Sequence, residues 1–249
     1  MLREHLMHKQ HEEGFRWRGG EIARIEGLSD AVFAFAVTLL VVSLEVPKTY
    51  SELAELMRGF VPFAICFLGL MQVWLEQYRY FRRYNLQDAT STMLNFALLF
   101  VVLFYVYPLK FLFTLLVNIW TGHSLQVHLP NGVVENVIEQ HQMPQLMSIF
   151  SSGYLAVAVI FMLLFGHALR RRHALELDEV EVFSTKVSIG AAALQAFVAI
   201  VSLAIVAFAG EKAASSSGII YPIILGPGFS IYYSIVGRKR RRLLQNRKG

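Results

Sequence analysis

Six apolar runs of about 20 residues each constrain the fold of this 249-residue chain more than any other feature. A helical run of this length spans the hydrocarbon core of a bilayer. The runs cover residues 25–46, 56–78, 92–117, 146–169, 187–209 and 218–236. With 55% hydrophobic and only 16% charged residues, the chain is predicted to be an all-α membrane protein with six transmembrane helices. The connecting segments are short, so we expect one transmembrane domain over residues 1–249.

The basic residues predict that both termini are cytoplasmic. Nineteen of the 23 Lys and Arg residues fall in the leader, the second and fourth loops and the C-terminal tail, which six spans would place on one side. Basic residues that flank spans stay predominantly in the cytoplasm. We therefore expect a cytoplasmic leader at residues 1–21 and a basic cytoplasmic tail at 237–249. Such a tail is interpreted as attracting the anionic headgroups of the lipid bilayer, and no nucleic-acid partner is expected.

Three smaller features lie outside the general pattern of spans. His5, His8 and His11 recur at intervals of three in the leader, where metal binding is conceivable but a solvated amphipathic segment is favoured. Residues 133–138, in the long polar segment before the fourth run, are expected to form a short interfacial helix. Cys66 is the single cysteine and lies inside the second run, so an intrachain disulfide is excluded.

Signatures of enzymes are missing from the sequence. There is no HExxH, no GxSxG, no Walker sequence and no pair of intramembrane aspartates. The TVGYG filter of ordinary potassium channels is missing as well. We therefore predict that the chain is not an enzyme and uses no cofactor, and an intramembrane enzyme is a distant alternative.

The first run opens with charged and polar residues, Arg24, Ser29 and Asp30, directly before its apolar part. A carboxylate at mid-membrane depth costs about 2.5 to 3.5 kcal/mol on insertion scales, so Asp30 needs a partner. Arg24 lies roughly 240° away around the helix and is poorly placed to pair with it. Polar groups on other helices should therefore bind Ser29 and Asp30. The candidates in the next two runs are Trp74, Glu76, Gln77 and Asn95.

One face of the first run forms a longitudinal stripe, because its members follow one another by three or four residues. These residues are Leu28, Ala31, Phe35, Thr38, Val42 and Glu45. The opposite face carries Phe33, Val37, Leu40 and Leu44 and is suited to packing. Ordinary helix packing also explains such a stripe. A ring of acids at its outer end would instead raise the cation concentration at a pore mouth.

These residues resemble a known family. Arg24-x-x-x-Leu28-Ser29-Asp30, followed by an apolar helix that closes on Leu44-Glu45-Val46-Pro47, is similar to the RxxxFSD signature of the endosomal and lysosomal potassium channels. The likeness is to their single-repeat prokaryotic relatives, which have six helices and lack the TVGYG filter. It extends to Trp74, Asn95 and Pro108.

The resemblance implies a homotetramer in which the first helix of every subunit lines a central pore for potassium ions. Carried onto this chain, the pore and gate positions would be Phe35, Thr38 and Val42, with Glu45 at the outer mouth and permeating potassium near Thr38. A second set of residues would lock the first helix against the second and third. That set comprises Arg24, Ser29, Asp30, Trp74, Gln77 and Asn95.

Three positions depart from the family pattern. Leu28 replaces the phenylalanine of the motif, Phe35 stands where leucine or isoleucine is usual, and Gln77 stands where a histidine is usual. A ring of Phe35 side chains could seal the pore more tightly or rotate aside. These departures, above all Phe35, therefore leave open which residue forms the gate.

Our hypothesis is a potassium-permeable channel in a prokaryotic cytoplasmic membrane, closed by dewetting at Phe35 and Val42. One alternative is a transporter or proton pathway that uses Asp30 as the carrier. A second alternative is a structural membrane protein that does not conduct.

Overall fold

The part of the chain that the structure describes is mainly helical. The structure is a computed structural model, and it describes residues 11–12, 15–20, 22–42, 47–121, 126–128, 134–209, 221 and 226–246. These residues contain seven α-helices. They are α1 (Arg24–Val42), α2 (Tyr50–Arg58), α3 (Phe60–Tyr84), α4 (Ala89–Thr121), α5 (Met143–Arg170), α6 (Glu179–Ala209) and α7 (Gly226–Asn246).

Four segments of this described part are long and apolar enough to cross a membrane. They are Phe60–Tyr84, Ala89–Leu116, Gln140–Arg170 and Glu179–Phe208, which correspond to the second to fifth predicted runs. Within an 18-residue apolar window of each span, 22 to 39% of the residues are buried in one chain, so the spans also carry residues that can face lipid or other subunits. The prediction of a helical membrane protein is confirmed at this level, and the count of six spans stays a prediction.

Helix boundaries differ from the predicted runs at two places. The second run was expected to begin at residue 56, but the helix is interrupted at Gly59, where the short α2 ends and α3 begins. At the C-terminus, α7 continues to Asn246, so most of the predicted basic tail is helical. The last predicted run, 218–236, is described only at Tyr221 and from Gly226 onward.

Two short antiparallel hairpins accompany the helices. The pair His11–Glu12 (β1) and Phe15–Arg16 (β2) forms one hairpin, and Gln126–His128 (β3) with Val134–Asn136 (β4) forms the other. The helix expected at residues 133–138 is therefore wrong, since residues 134–136 form a strand. An Asn-Gly dipeptide lies between the two strands and each strand contains a valine, a combination that is typical of a hairpin.

The main hydrophobic core lies between α1, α3, α4 and α5. Leu40, Cys66, Leu98 and Leu164 are completely buried in it. The only cysteine therefore acts as a small apolar core residue. Helices α5 and α6 form the most extensively packed pair and are joined by residues 171–178, the α5–α6 turn.

Residues 15–20, which we call the strap, lie between the C-terminal end of α3 and the N-terminal end of α6. Phe15 is 1% exposed and makes an edge-to-face contact with Tyr84, with ring centroids 5.5 Å apart. The backbone N–H of Arg18 donates to the carbonyl of Arg82 at 3.0 Å. The expectation of a solvated leader is therefore wrong for the strap, because its apolar and backbone groups are used in tertiary contacts.

A buried carboxylate fastens the strap to α6. The side chain of Glu181 is fully buried and accepts a charged hydrogen bond from the Arg18 guanidinium at 2.7 Å. It also accepts from the backbone N–H groups of Arg16 at 2.9 Å and Asp178 at 3.1 Å. A buried charge is stable only when it is paired and multiply hydrogen-bonded, and Glu181 meets this requirement.

Replacing Glu181 with glutamine is expected to loosen the strap. The change keeps the shape of the side chain but removes the charge that Arg18 pairs with, and breaking a buried ion pair is strongly destabilising. We expect trypsin to cleave the Arg18–Gly19 bond roughly tenfold faster in the folded variant, because local opening becomes more frequent. Mass spectrometry of the released N-terminal peptide measures this rate.

The matched control is Glu179→Gln, which changes an exposed acid two residues earlier on the same helix. It should leave the cleavage rate unchanged. Equal rates in the wild type and the Glu181→Gln protein would show that the ion pair does not hold the strap.

A second polar cluster joins the α3–α4 turn to the end of α5. Asp88 accepts from the backbone N–H of Ser91 at 3.0 Å and lies 2.6 Å from Nε2 of His167. Although partial burial opposes ionisation, the hydrogen bonds from Ser91 and His167 hold the pKa of the Asp88 carboxyl below its ordinary value. Asp88 therefore starts α4 as a charged cap and ties it to α5.

Candidate pore helix and its anchor

Helix α1 has one buried face and one exposed face. Phe33 and Leu40 are 2% and 0% exposed, and Ala36 between them is also fully buried. These side chains pack in the main core with residues of α3 and α4, such as Cys66 and Leu98. The buried residues recur by three and four positions, as expected for a helix that packs along one side.

The exposed face of α1 carries the predicted stripe. Leu28 is 46% and Phe35 is 57% exposed, and Ala31 and Thr38 are exposed as well. Val42 is the last residue of α1, but its side chain is not among those described, and Glu45 lies outside the described residues. These four residues of the stripe are thus exposed in one subunit, because no other described residue of the chain covers them.

The hydroxyl of Thr38 is oriented by its own helix. Its Oγ1 donates to the carbonyl oxygen of Phe35 at 2.7 Å. A hydroxyl has one donor and two acceptor lone pairs, so this bond uses the proton and leaves the oxygen able to accept. An exposed hydroxyl of this kind can interact with a cation through its oxygen.

A chain of buried hydrogen bonds holds the first half of α1 against α3 and α4. Gln77 Nε2 donates to Asn95 Oδ1 at 3.1 Å, and Asn95 Nδ2 donates to Ser29 Oγ at 2.9 Å. Ser29 in turn donates to the carbonyl of Ile25 at 2.8 Å. Gln77 is 2% exposed, and Ser29 and Asn95 are 0% exposed. Gln77, Asn95 and Ser29, with the carbonyl of Ile25, define the anchor, in which each of the three side chains donates one hydrogen bond to the next group.

Asp30 lies beside the anchor and has its own partner. The indole Nε1 of Trp74 donates to Asp30 Oδ1 at 2.7 Å. The ring of Trp74 stacks on Tyr78, with centroids 5.6 Å apart, and the Tyr78 ring meets Trp17 of the strap edge-to-face. The carboxylate is therefore bound to α3 through an aromatic group that is itself fixed by packing.

The remaining predicted residues are placed differently. Arg24 is exposed at the first position of α1 and makes no hydrogen bond or ion pair with another described residue. Glu76, which sequence reasoning also offered as a partner for α1, instead pairs with Arg79 on its own helix at 3.1 Å. The structure thus brings together Ser29, Asp30, Trp74, Gln77 and Asn95, and leaves Arg24 and Glu76 outside the anchor.

Two contacts of α1 were not anticipated. Glu26 is 6% exposed, accepts from the backbone N–H of Ala23 at 3.1 Å and lies 3.6 Å from the Arg82 guanidinium. Near the other end, Lys110 Nζ on α4 donates to the carbonyl oxygen of Leu40 at 2.8 Å. The isolated lysine in the third apolar run was a signal for this second contact, because a charge inside a span needs a polar partner.

Comparison with known proteins extends the likeness beyond the motif. The sequence pattern of the family described as endosomal/lysosomal potassium channel TMEM175 matches residues 24–108 of this chain. A protein of Marivirga tractuosa named potassium channel is 36% identical over 241 residues, which cover 93% of this chain and 94% of its own length. A protein of Chamaesiphon minutus, also named potassium channel, is 28% identical over 156 residues, or 59% of this chain and 66% of its own.

A solved structure is similar over nearly the whole chain. The crystal structure of a variant of the potassium channel MtTMEM175, in complex with a nanobody–MBP fusion protein, superposes with a TM-score of 0.73 at 34% sequence identity. The alignment covers 93% of this chain and 97% of that one. Sequence and fold therefore agree along the length of both chains, and this chain belongs to the TMEM175 family of endosomal and lysosomal potassium channels.

Proposed function

We propose that the chain forms a homotetrameric, potassium-permeable channel in a prokaryotic cytoplasmic membrane. Its family is one of potassium channels, so the chain is a channel protein and not an enzyme. Each subunit contributes one α1, and enclosing a central path with that helix requires a ring of copies around a rotation axis. The basic residues favour cytoplasmic termini. Potassium is the permeant ion, and no cofactor is required.

The exposed stripe of α1 is the observation that carries this proposal. The helix is held tightly on its opposite face by the core and the anchor, yet Phe35 is 57% exposed and Thr38 is exposed next to it. This apolar stripe is interrupted by a hydroxyl whose oxygen can still accept a hydrogen bond or contact a cation. It is suited to a narrow path in which an ion is partly dehydrated.

We assign different roles to the residues of the stripe. Rings of Phe35 and Val42 would form an apolar constriction that closes the path by expelling water. Thr38, whose oxygen remains able to accept, would contact the dehydrated potassium ion. Glu45 would concentrate cations at the outer mouth. The anchor residues, with Asp30 and Trp74, would fix the angle of α1 and take no part in conduction.

A flux measurement tests the proposal. The full chain is reconstituted into liposomes that contain potassium, and efflux is followed in sodium buffer, with the mass of the oligomer determined by native mass spectrometry. We expect four copies and potassium efflux above that of empty liposomes. An intact tetramer without potassium conductance would contradict the proposal and favour a structural role.

The same liposomes separate the channel from a proton pathway through Asp30. That alternative predicts flux that is driven by a pH gradient when potassium is equal on both sides. The channel proposal predicts that a potassium gradient alone is sufficient.

A further inference from the structure

A basic cavity lies between the N-terminal part of α6, the α5–α6 turn and α7, away from α1 and its anchor. Its volume is about 650 Å³. The charged and titratable residues at its edge are Arg172, His173, Glu179, Lys186 and Lys239. The walls are apolar and include Leu177, Val182, Phe183, Val187, Ile235 and Val236. The cavity therefore combines a cationic edge with a hydrophobic interior.

The cations at this edge are not neutralised by the described part of the chain. Arg172, Lys186 and Lys239 have no carboxylate within ion-pair distance among the described residues. Arg172 Nε instead donates to Nε2 of His173 at 3.2 Å, and Lys239 Nζ lies 5.7 Å from the centre of the Phe183 ring. The lining thus contains three cations and a single acid, Glu179. This excess of positive charge favours an anionic ligand.

The wall formed by α7 is held in a fixed position. The hydroxyl of Tyr232 donates to the carbonyl oxygen of Val187 on α6 at 2.8 Å. A Cβ atom at Gly190 would lie only 2.2 Å from that hydroxyl, so the missing side chain is what allows the tyrosine to approach. These two contacts hold α7 against α6 beside the cavity.

The position of the cavity indicates a lipid rather than a soluble anion. The apolar span of α6 begins at Glu179, so the cationic edge lies at the level where a span meets the headgroup region. From the cavity toward the start of α7, Ile235 and Ile231 are each 61% exposed and lie one helical turn apart on the same face. This continuous apolar surface suits acyl chains, which a free phosphate does not have.

We propose that this cavity binds the headgroup of an anionic phospholipid, with its phosphate among Arg172, Lys186 and Lys239 and its acyl chains along α7. Basic pockets between helices at the cytoplasmic side of membrane proteins are suited to such headgroups. The site differs from the proposed pore, and lipid binding can be measured whether or not the protein conducts ions.

Native mass spectrometry of the purified full chain with dioleoylphosphatidylglycerol, and separately with dioleoylphosphatidylcholine, tests this site. We expect one phosphatidylglycerol per subunit, retained roughly tenfold more tightly than phosphatidylcholine. The double variant Lys186→Gln/Lys239→Gln should lose this preference. The conservative variant Lys186→Arg/Lys239→Arg should keep it, and the oligomer mass in the same spectra shows that each protein is folded.

The control is Arg170→Gln/Arg238→Gln. It removes two exposed charges that lie close in sequence to Arg172 and Lys239 but do not line the cavity. It should bind phosphatidylglycerol as the wild type does. An equal loss in the control would show general surface attraction and overturn the site. Equal retention of both lipids, or displacement of phosphatidylglycerol by millimolar inorganic phosphate, would also overturn it.

Discussion

Replacing Phe35 with alanine is expected to raise potassium efflux from proteoliposomes by roughly tenfold, which corresponds to a closed state weakened by about 1.4 kcal/mol. Phe35 is 57% exposed in the subunit, so removing its ring creates no cavity in the core of one chain. In the proposed tetramer the change widens the narrowest apolar layer and allows water to enter it. Efflux is measured at matched protein content in the wild type and the variant.

Phe100→Ala is the matched control for this experiment. Phe100 is 70% exposed on α4 and is stacked on Phe104, so the same truncation is made on a surface that is not part of the stripe. We expect the efflux of this control to equal that of the wild type. A rise of the same size in both variants would indicate general leakiness, and an unchanged Phe35→Ala protein would remove Phe35 from the gate.

The second large effect is expected at the anchor, where Asn95→Leu should lower the free energy of unfolding by about 1 to 2 kcal/mol. The leucine leaves the Gln77 amide and the Ser29 hydroxyl without the partner that each has in the wild type. Both groups are buried, so water cannot replace that partner. Thermal unfolding of the purified protein in detergent should show a transition several degrees lower.

Gln72→Leu provides the control for Asn95→Leu. Gln72 is exposed on α3, the helix that carries Gln77, and its loss should leave the thermal transition unchanged. A double-mutant cycle adds a sharper criterion, because Gln77→Leu should cost much less in the Asn95→Leu protein than in the wild type. Strictly additive effects of the two substitutions would show that the hydrogen bond between Gln77 and Asn95 does not stabilise α1.

The exposed stripe and the anchor could be predicted from the sequence for the same reason. In an apolar run, helical periodicity separates the two faces, and Phe33 and Phe35 were assigned to opposite faces on this basis. Polar residues are scarce in such runs, so Ser29 and Asp30 had few possible partners. Trp74 and Asn95 were two of the four candidates, and both hydrogen-bond to this pair.

The contacts that sequence reasoning missed join segments far apart in the chain. Glu181 binds the strap across more than 160 residues, and no local pattern states which end of which helix a leader will meet. The contact of Glu26 with Arg82 depends in the same way on how α1 crosses α3. The strand at 134–136 was missed for another reason, since residues 133–138 were interpreted as a helix and the Asn-Gly hairpin signal before them was not used.

The two hydrogen bonds from α4 to α1 restrict how the proposed pore could open. Asn95 holds α1 at Ser29, and Lys110 holds it at the carbonyl of Leu40, about 16 Å further along the helix axis. While both hydrogen bonds persist, α1 cannot tilt away from α4 about either contact. Opening would then require α1 and α4 to move together, the Phe35 ring to rotate while α1 stays in place, or one of the two hydrogen bonds to break.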